Sequence, residues 1–213
     1  MDISLENISF RYDGGRPLIE GFSGRFRAGE IVGIMGSSGC GKSTLLKIIS
    51  LLLRPTAGAI RADGLDFWSL GDCEINSFRG NVGFDFQDSA LISNMSVERN
   101  LQLPVEYSTG EKSKAAKVAS EAIARGGLGE YSTMLPAALS YGIRRRVSLL
   151  RAEICAKSAF FCDEPNQVSD GHYRKLFSEI LRKKRDAGAL CVIASGDIAF
   201  LEPLVDRVVE IKP

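Results

Sequence analysis

Residues 36–44 read Gly36-Ser37-Ser38-Gly39-Cys40-Gly41-Lys42-Ser43-Thr44. The apolar run Ile31-Val32-Gly33-Ile34-Met35 before them predicts a buried strand, and Leu45-Leu46-Lys47-Ile48-Ile49 after them predicts a helix. Strand, glycine-rich turn and helix N-terminus are the context of a phosphate-binding loop. The glycines let the backbone curl so that successive N–H groups converge on one place, and the helix N-terminus adds partial positive charge there. In such a loop Lys42 reaches the β- and γ-phosphates and the Ser43 hydroxyl holds Mg²⁺. Gly36, Ser37, Ser38, Gly39, Cys40, Gly41, Lys42, Ser43 and Thr44 are therefore the candidate phosphate contacts. Cys40 reads as a small filler whose alkylation should block nucleotide binding.

The 213 residues suffice for one large domain or one domain with an inserted lobe. Lys and Arg number 27 against 26 Asp and Glu, so the charge balance gives no sign of a nucleic-acid partner or of membrane adsorption. Cys40, Cys73, Cys155, Cys162 and Cys191 are scattered without metal spacing, as expected of reduced thiols in a cytosol. His172 is the only histidine and cannot build a metal site alone. No leader pattern is visible, and no apolar run approaches the roughly 20 residues of a membrane helix. The expectation is a soluble, cytoplasmic chain that meets a membrane only through a partner.

Along the chain, Ile3, Leu5, Ile8 and Phe10 alternate with polar residues in the β manner, and Asp13-Gly14-Gly15 signals a turn. Phe22–Phe26, Thr56–Ile60 and Val82–Phe86 read as further strands. Glu111–Arg125 reads as a helix with Ala115, Val118, Ala122 and Ile123 on one face, stopped by Gly126-Gly127. Arg144–Ile154 and Tyr173–Lys184 read as helices; Ala159–Cys162, Leu190–Ala194 and Asp206–Ile211 read as strands. Short uninterrupted apolar strands beside helices predict an α/β fold with a mostly parallel core sheet covered on both faces. To it are added an N-terminal antiparallel β edge and an inserted helical lobe. The predicted division of this single domain is 1–87 and 155–213 for the core, and 88–154 for the helical subdomain.

Asp163-Glu164 follows the apolar strand Ala159–Cys162. Two acids there could be a solvated turn. Paired with a phosphate loop, they place Asp163 to orient Mg²⁺ and Glu164 to polarise an attacking water. At this point the chain resembles the ATP-binding subunits of ABC transporters, from Tyr12 to the last strand. Gly36–Thr44 is similar to Walker A, and Asp163-Glu164-Pro165 to Walker B with its catalytic glutamate. Gln87, in Gly83-Phe84-Asp85-Phe86-Gln87-Asp88, is similar to the Q-loop glutamine that senses Mg²⁺ and water. Leu139-Ser140-Tyr141-Gly142-Ile143 occupies the place of the LSGGQ signature. Asp170 matches the D-loop aspartate, and Tyr12 the aromatic that stacks on adenine, unless it is simply an exposed strand aromatic.

The resemblance implies a P-loop NTPase of the ABC type with ATP and Mg²⁺ as ligands. Its implied catalytic residues are Glu164, Gln87 and Lys42, and its implied metal contacts Ser43, Gln87 and Asp163. It also implies a head-to-tail pair of cassettes, with Ser140 and Gly142 of one facing the ATP of the other. The implied membrane partner is an integral permease at the cytoplasmic face of the cell membrane.

The chain departs from that pattern twice. Tyr141 and Ile143 replace a glycine and a polar residue of the signature, although Ser140, Gly142 and the basic helix start Arg144-Arg145-Arg146 remain. Ser195-Gly196-Asp197 stands where the family has a switch histidine, so Gly196 offers no side chain to orient water. His172 is not expected to substitute. Weakened hydrolysis follows, in either a slow homodimeric motor or the weaker half of a heterodimer. A nucleotide-gated regulatory cassette is the competing reading. A soluble DNA-repair or translation ABC protein fits less well, because there is no second cassette and no heptad run. The segment 88–104 resembles that of Mla/MCE-type phospholipid-transport cassettes, and also lipoprotein-release and cell-division cassettes.

Overall fold

The computed structural model describes residues 1–168 and 170–211. The elements run β1 (Ile3–Phe10), β2 (Ile19–Phe26), β3 (Ile31–Met35), α1 (Lys42–Ile49), β4 (Ala57–Ala62), β5 (Leu65–Asp66), α2 (Asp72–Arg79), β6 (Val82–Asp85), α3 (Val97–Thr109) and α4 (Lys112–Arg125). They continue with α5 (Tyr141–Cys155), β7 (Ala159–Asp163), α6 (Gly171–Asp186), β8 (Leu190–Ser195), α7 (Ile198–Leu201) and β9 (Arg207–Glu210). Two sheets result. One is antiparallel in the order β2-β1-β4-β5; the other is parallel in the order β6-β7-β8-β3-β9.

The parallel strands β6, β7, β8 and β3 are buried on both faces, and their pleat divides them between two cores, while the edge strand β9 is half exposed. Ala159 and Phe161 of β7, with Leu190, Val192 and Ala194 of β8, face a cluster shared with α1 and the antiparallel sheet. Phe160, Cys162, Cys191 and Ile193 face the opposite cluster, built on α5 and α6. Each fully buried Phe or Ile in these layers contributes about 2 kcal/mol by leaving water. This double demand explains why β7 and β8 read as continuous apolar runs.

The predicted strands and the parallel sheet are present, with the short strand β5 and three helices added. Asp72–Arg79 is a helix without a fully buried residue, which left no apolar stripe to read. Glu74 caps it by accepting from Gly71 N–H at 3.0 Å. Val97–Thr109 is a helix despite Pro104 inside it, capped by Ser96, which accepts from Arg99 N–H at 3.2 Å. Proline deprives the Asn100 carbonyl of its usual donor. The buried Asn100 amide fastens the preceding turn instead, donating to the Ile92, Met95 and Ser96 carbonyls at 3.0–3.2 Å. The third added helix is the single turn α7. On α4 the buried face is Ala115, Ala119 and Ala122, with Val118 and Ile123 at its border.

α3 and α4 pack on each other and on α5, which runs back from that lobe to lie against β6. The approach is close enough that a Cβ on Gly83 of β6 would sit 1.9 Å from the Ala152 carbonyl oxygen. Gly83→Ala should therefore force α5 off the sheet and cost about 3 kcal/mol of stability. Urea unfolding measures this directly, and a variant with an unchanged midpoint would contradict the packing.

Candidate functional site

The strand β3 delivers residues 36–41 to the start of α1. Gly41 caps α1 at φ 101°, without any side-chain cap, so the first N–H groups of the helix point into the open loop. An added Cβ on Gly41 would meet Leu18 Cγ at 3.1 Å. One on Gly36 would press on Cys40 Sγ at 2.5 Å and on the Ile211 carbonyl oxygen at 2.7 Å. The curl thus requires glycine for shape at one position and for space at the other. Cys40 itself is buried, so a thiol reagent reaches it only when the loop opens.

Lys42 lies under the loop, nearly buried. Its Nζ donates to the Gly36 carbonyl at 3.0 Å and the Ser37 carbonyl at 3.2 Å, and stands 3.3 Å from Glu164 Oε1. The Ser43 hydroxyl donates to Asp163 Oδ1 at 2.9 Å. Burial raises the pKa of Asp163, with Glu164's charge adding; the Ser43 hydrogen bond, Lys47 and Arg145 act the other way. Glu164 follows at φ 48°, ψ 53°, a left-handed backbone unusual for glutamate and typical of strain kept at working sites. Its Oε2 accepts from Gly196 N–H at 3.4 Å, so the two strand ends β7 and β8 meet through this carboxylate. Gln87 joins from the loop after β6, its amide donating to Gln167 Oε1 at 3.1 Å.

The loop, Lys42, Ser43, Thr44, Gln87, Glu164 and Gln167 line one cleft of about 260 Å³. A contiguous cleft of about 460 Å³ adds Asp163, Lys47 and Tyr141. Tyr12 stands at the other end, half exposed; its hydroxyl shares a hydrogen bond of 3.1 Å with Thr44 Oγ1. Phe10 supports the Tyr12 ring edge-on at 4.9 Å. Sequence reasoning missed Leu18 and Gln167, because neither residue type announces chemistry; only their nearness to Gly41 and Gln87 reveals them.

Apart from Tyr141, which lines the cleft, the signature-like residues form a separate patch. Ser140 caps α5, accepting from Ile143 N–H at 3.4 Å. Gly142 lies beside Asp170, which caps α6 and stands 3.1 Å from Arg146 Nε. His172 lies against Gly127 on the lobe side. Hydroxyl, carboxylate and amide oxygens at Ser43, Asp163 and Gln87 are the hard donors that Mg²⁺ takes. Among the described residues no three His, Cys, Asp or Glu side chains gather in a cage, which suits an ion that relies on phosphate and water for its other ligands.

Gly41→Ala tests the loop. The strain of forcing φ 101° on alanine is about 1–3 kcal/mol, so affinity for a fluorescent ATP analogue should fall about tenfold or more. Unchanged affinity would mean that the phosphates lie elsewhere.

The family model described as "ABC transporter" matches residues 19–167. The methionine import ATP-binding protein MetN of Caulobacter vibrioides is 30% identical over 208 residues, which cover 97% of this chain and 63% of that protein. The macrolide export ATP-binding/permease protein MacB of Salmonella typhimurium is 33% identical, covering 98% of this chain and 33% of that protein. The chain spans 65% or less of the length of these curated relatives. The ATP-binding cassette MJ0796, solved as a dimer bound to ADP and Pi, superposes with a TM-score of 0.90 at 27% identity, covering 99% of this chain and 94% of that one. With phosphate loop, strand-end carboxylates and both sheets in place, and with the match spanning most of its length, the chain belongs to the ABC transporter family, as an ATP-binding cassette.

Proposed function

We propose that this cassette binds Mg²⁺-ATP, hydrolyses it slowly, and passes the resulting change of shape to an integral membrane permease. The observation that carries the reading is the convergence of Lys42, Ser43, Asp163 and Glu164 beneath one glycine loop, with Ser43 Oγ 2.9 Å from Asp163 and Lys42 Nζ 3.3 Å from Glu164. Tyr12 offers a ring face to adenine. Residues 36–44 wrap the phosphates with backbone N–H groups. Ser43, Asp163 and Gln87 would hold Mg²⁺, which supplies charge neutralisation between the phosphates. Lys42 takes up phosphate charge as its contact with Glu164 loosens. Glu164, so released, accepts the proton of a water attacking in line.

Ser140, Gly142 and Asp170 would complete the site of a second cassette, and the dimeric form of the related cassette MJ0796 supports a pair. No described helix is long and apolar enough to cross a membrane, so the permease would be a separate domain or chain. The cytoplasmic face of the cell membrane is the corresponding location. The named relatives import methionine and export macrolides; neither favours a phospholipid cargo, and the cargo is assigned to the permease.

Gly196 is why turnover should be slow. Its N–H touches Glu164, but it offers no side chain to hold water or phosphate. An added Cβ would lie 3.7 Å from the Gly36 carbonyl oxygen and 3.8 Å from Lys42 Nζ, ordinary contact distances, so the backbone here accepts a Cβ without a clash. Steady-state hydrolysis should vanish in Glu164→Gln and rise about tenfold or more in Gly196→His. A Gly196→His variant no faster than the parent removes the glycine as the cause. Tight Mg²⁺-ATP binding without turnover in the parent would instead identify a nucleotide-gated clamp or the weak half of a heterodimer.

A further inference from the structure

One guanidinium in the interior touches both flanks of the metal end of the cleft. Arg145 of α5 is fully buried, as are its partners Asp85 and Tyr173. Its Nη2 donates to Asp85 Oδ2 at 3.0 Å, to the Tyr173 hydroxyl at 3.3 Å and, at 3.5 Å, to the backbone carbonyl of Asp163. Its Nη1 donates to the backbone carbonyl of Phe86, the residue before Gln87. Asp85 also accepts from the Ser148 hydroxyl at 2.6 Å and the Tyr173 hydroxyl at 3.0 Å. Three donor groups thus converge on its two oxygens, a set suited to the ionised carboxylate. Burial raises the Asp85 pKa against the lowering by Arg145, Ser148 and Tyr173. It also opposes charge on Arg145, whose pKa is nevertheless raised by Asp85 and Tyr173. The convergent donors, not the burial, favour the charged pair.

Stability does not account for this pair. Desolvating two charges costs several kcal/mol each, and apolar replacements of such pairs are often neutral or stabilising. The Arg145 Nε, moreover, has no partner among the described residues. What the fork does achieve is geometric. It ties the peptide before Gln87 and the peptide before Glu164 to a single side chain five residues into the helix that Ser140 caps. A second arginine on the same helix holds the other side of Gln87. Arg151 Nη2 donates to the Ser89 carbonyl at 3.2 Å and the Ala90 carbonyl at 2.7 Å, across a turn where both residues have positive φ.

We infer that Arg145 is a positioning residue: it sets Gln87 and the Asp163-Glu164 pair at a fixed separation and links that separation to the tilt of α5. The inference rests on the proposed Mg²⁺-ATP site and adds to it the device that aligns the metal end. Movement of the signature end of α5 then changes the spacing of the metal contacts without touching the phosphate loop. Lysine cannot replace the fork, because one ammonium on a flexible stem does not span both carbonyls and the carboxylate.

Two variants separate positioning from folding. Arg145→Lys keeps the charge opposite Asp85. The double variant Asp85→Val with Arg145→Met removes both charges and keeps the volume filled. In each, kcat should fall about tenfold or more while KM for ATP stays within about threefold, and the Mg²⁺ concentration that half-saturates binding of a fluorescent ATP analogue should rise about fivefold. Thermal unfolding identifies the variants that retain the fold. A merely structural arginine would lower the unfolding temperature and leave the Mg²⁺ dependence alone. A folded Arg145→Lys chain with parental kcat and Mg²⁺ dependence overturns the inference. A parent that binds Mg²⁺-ATP without turnover leaves the Mg²⁺ readout decisive. A parent that binds none overturns the proposed function first, and this inference with it.

Discussion

The ammonium of Lys42 organises the cleft. Three oxygens lie within 3.3 Å of it: two loop carbonyls and one oxygen of Glu164. An ammonium has three protons, so in this state the cation is satisfied by the loop it supports and by the carboxylate proposed as base. A buried positive charge without such partners would destabilise the chain. The same partners tie the glycine loop to the strand end that carries Glu164. A triphosphate entering the loop brings oxygens that compete with Glu164 for Lys42. In the proposed mechanism, binding and release of the base would thereby become one event.

The frame around that contact follows from strands that face two cores. β7 and β8 must be apolar at every position until they emerge, and the first polar side chains at their ends are Asp163-Glu164 and Ser195. Functional groups therefore stand where burial stops, at the carboxyl ends of parallel strands. The strained turn at Glu164 is held because Gly196 and Lys42 grip its carboxylate from two sides. Pro165 follows immediately and fixes the departure of the chain.

Much of this was legible in the residues alone. The phosphate loop, the acidic pair and the continuous apolar strands each carry a local signature with one physical cause. What escaped was relational. α2 is held by capping and by Ile75 and Phe78, which are only partly buried, so its eight residues show no stripe. No helix is read around Pro104, yet one runs through it because the buried Asn100 amide ties the turn before it and a neighbouring helix packs alongside. Arg144-Arg145-Arg146 read as a basic helix start. In the fold, Arg145 points into the core and Arg146 toward Asp170, a difference of one position on a helix that no linear reading separates.

The glycine at position 196 acquires meaning from these contacts. Its backbone N–H already serves Glu164, so the loop after β8 is not idle even without a side chain. On the proposed reading, what position 196 does not supply is a group beyond the backbone to hold a phosphate oxygen and a water together. In the proposed mechanism Glu164 would align the attacking water by its own position alone, which depends on the peptide after Asp163. That peptide is tied through Arg145 to the strand before Gln87. A site lacking its switch side chain leans harder on the groups that fix its backbone, and here those groups sit on the helix that Ser140 caps. On the proposed function, control over the chemistry would shift from the end of β8 toward α5, the element whose tilt a second cassette would set.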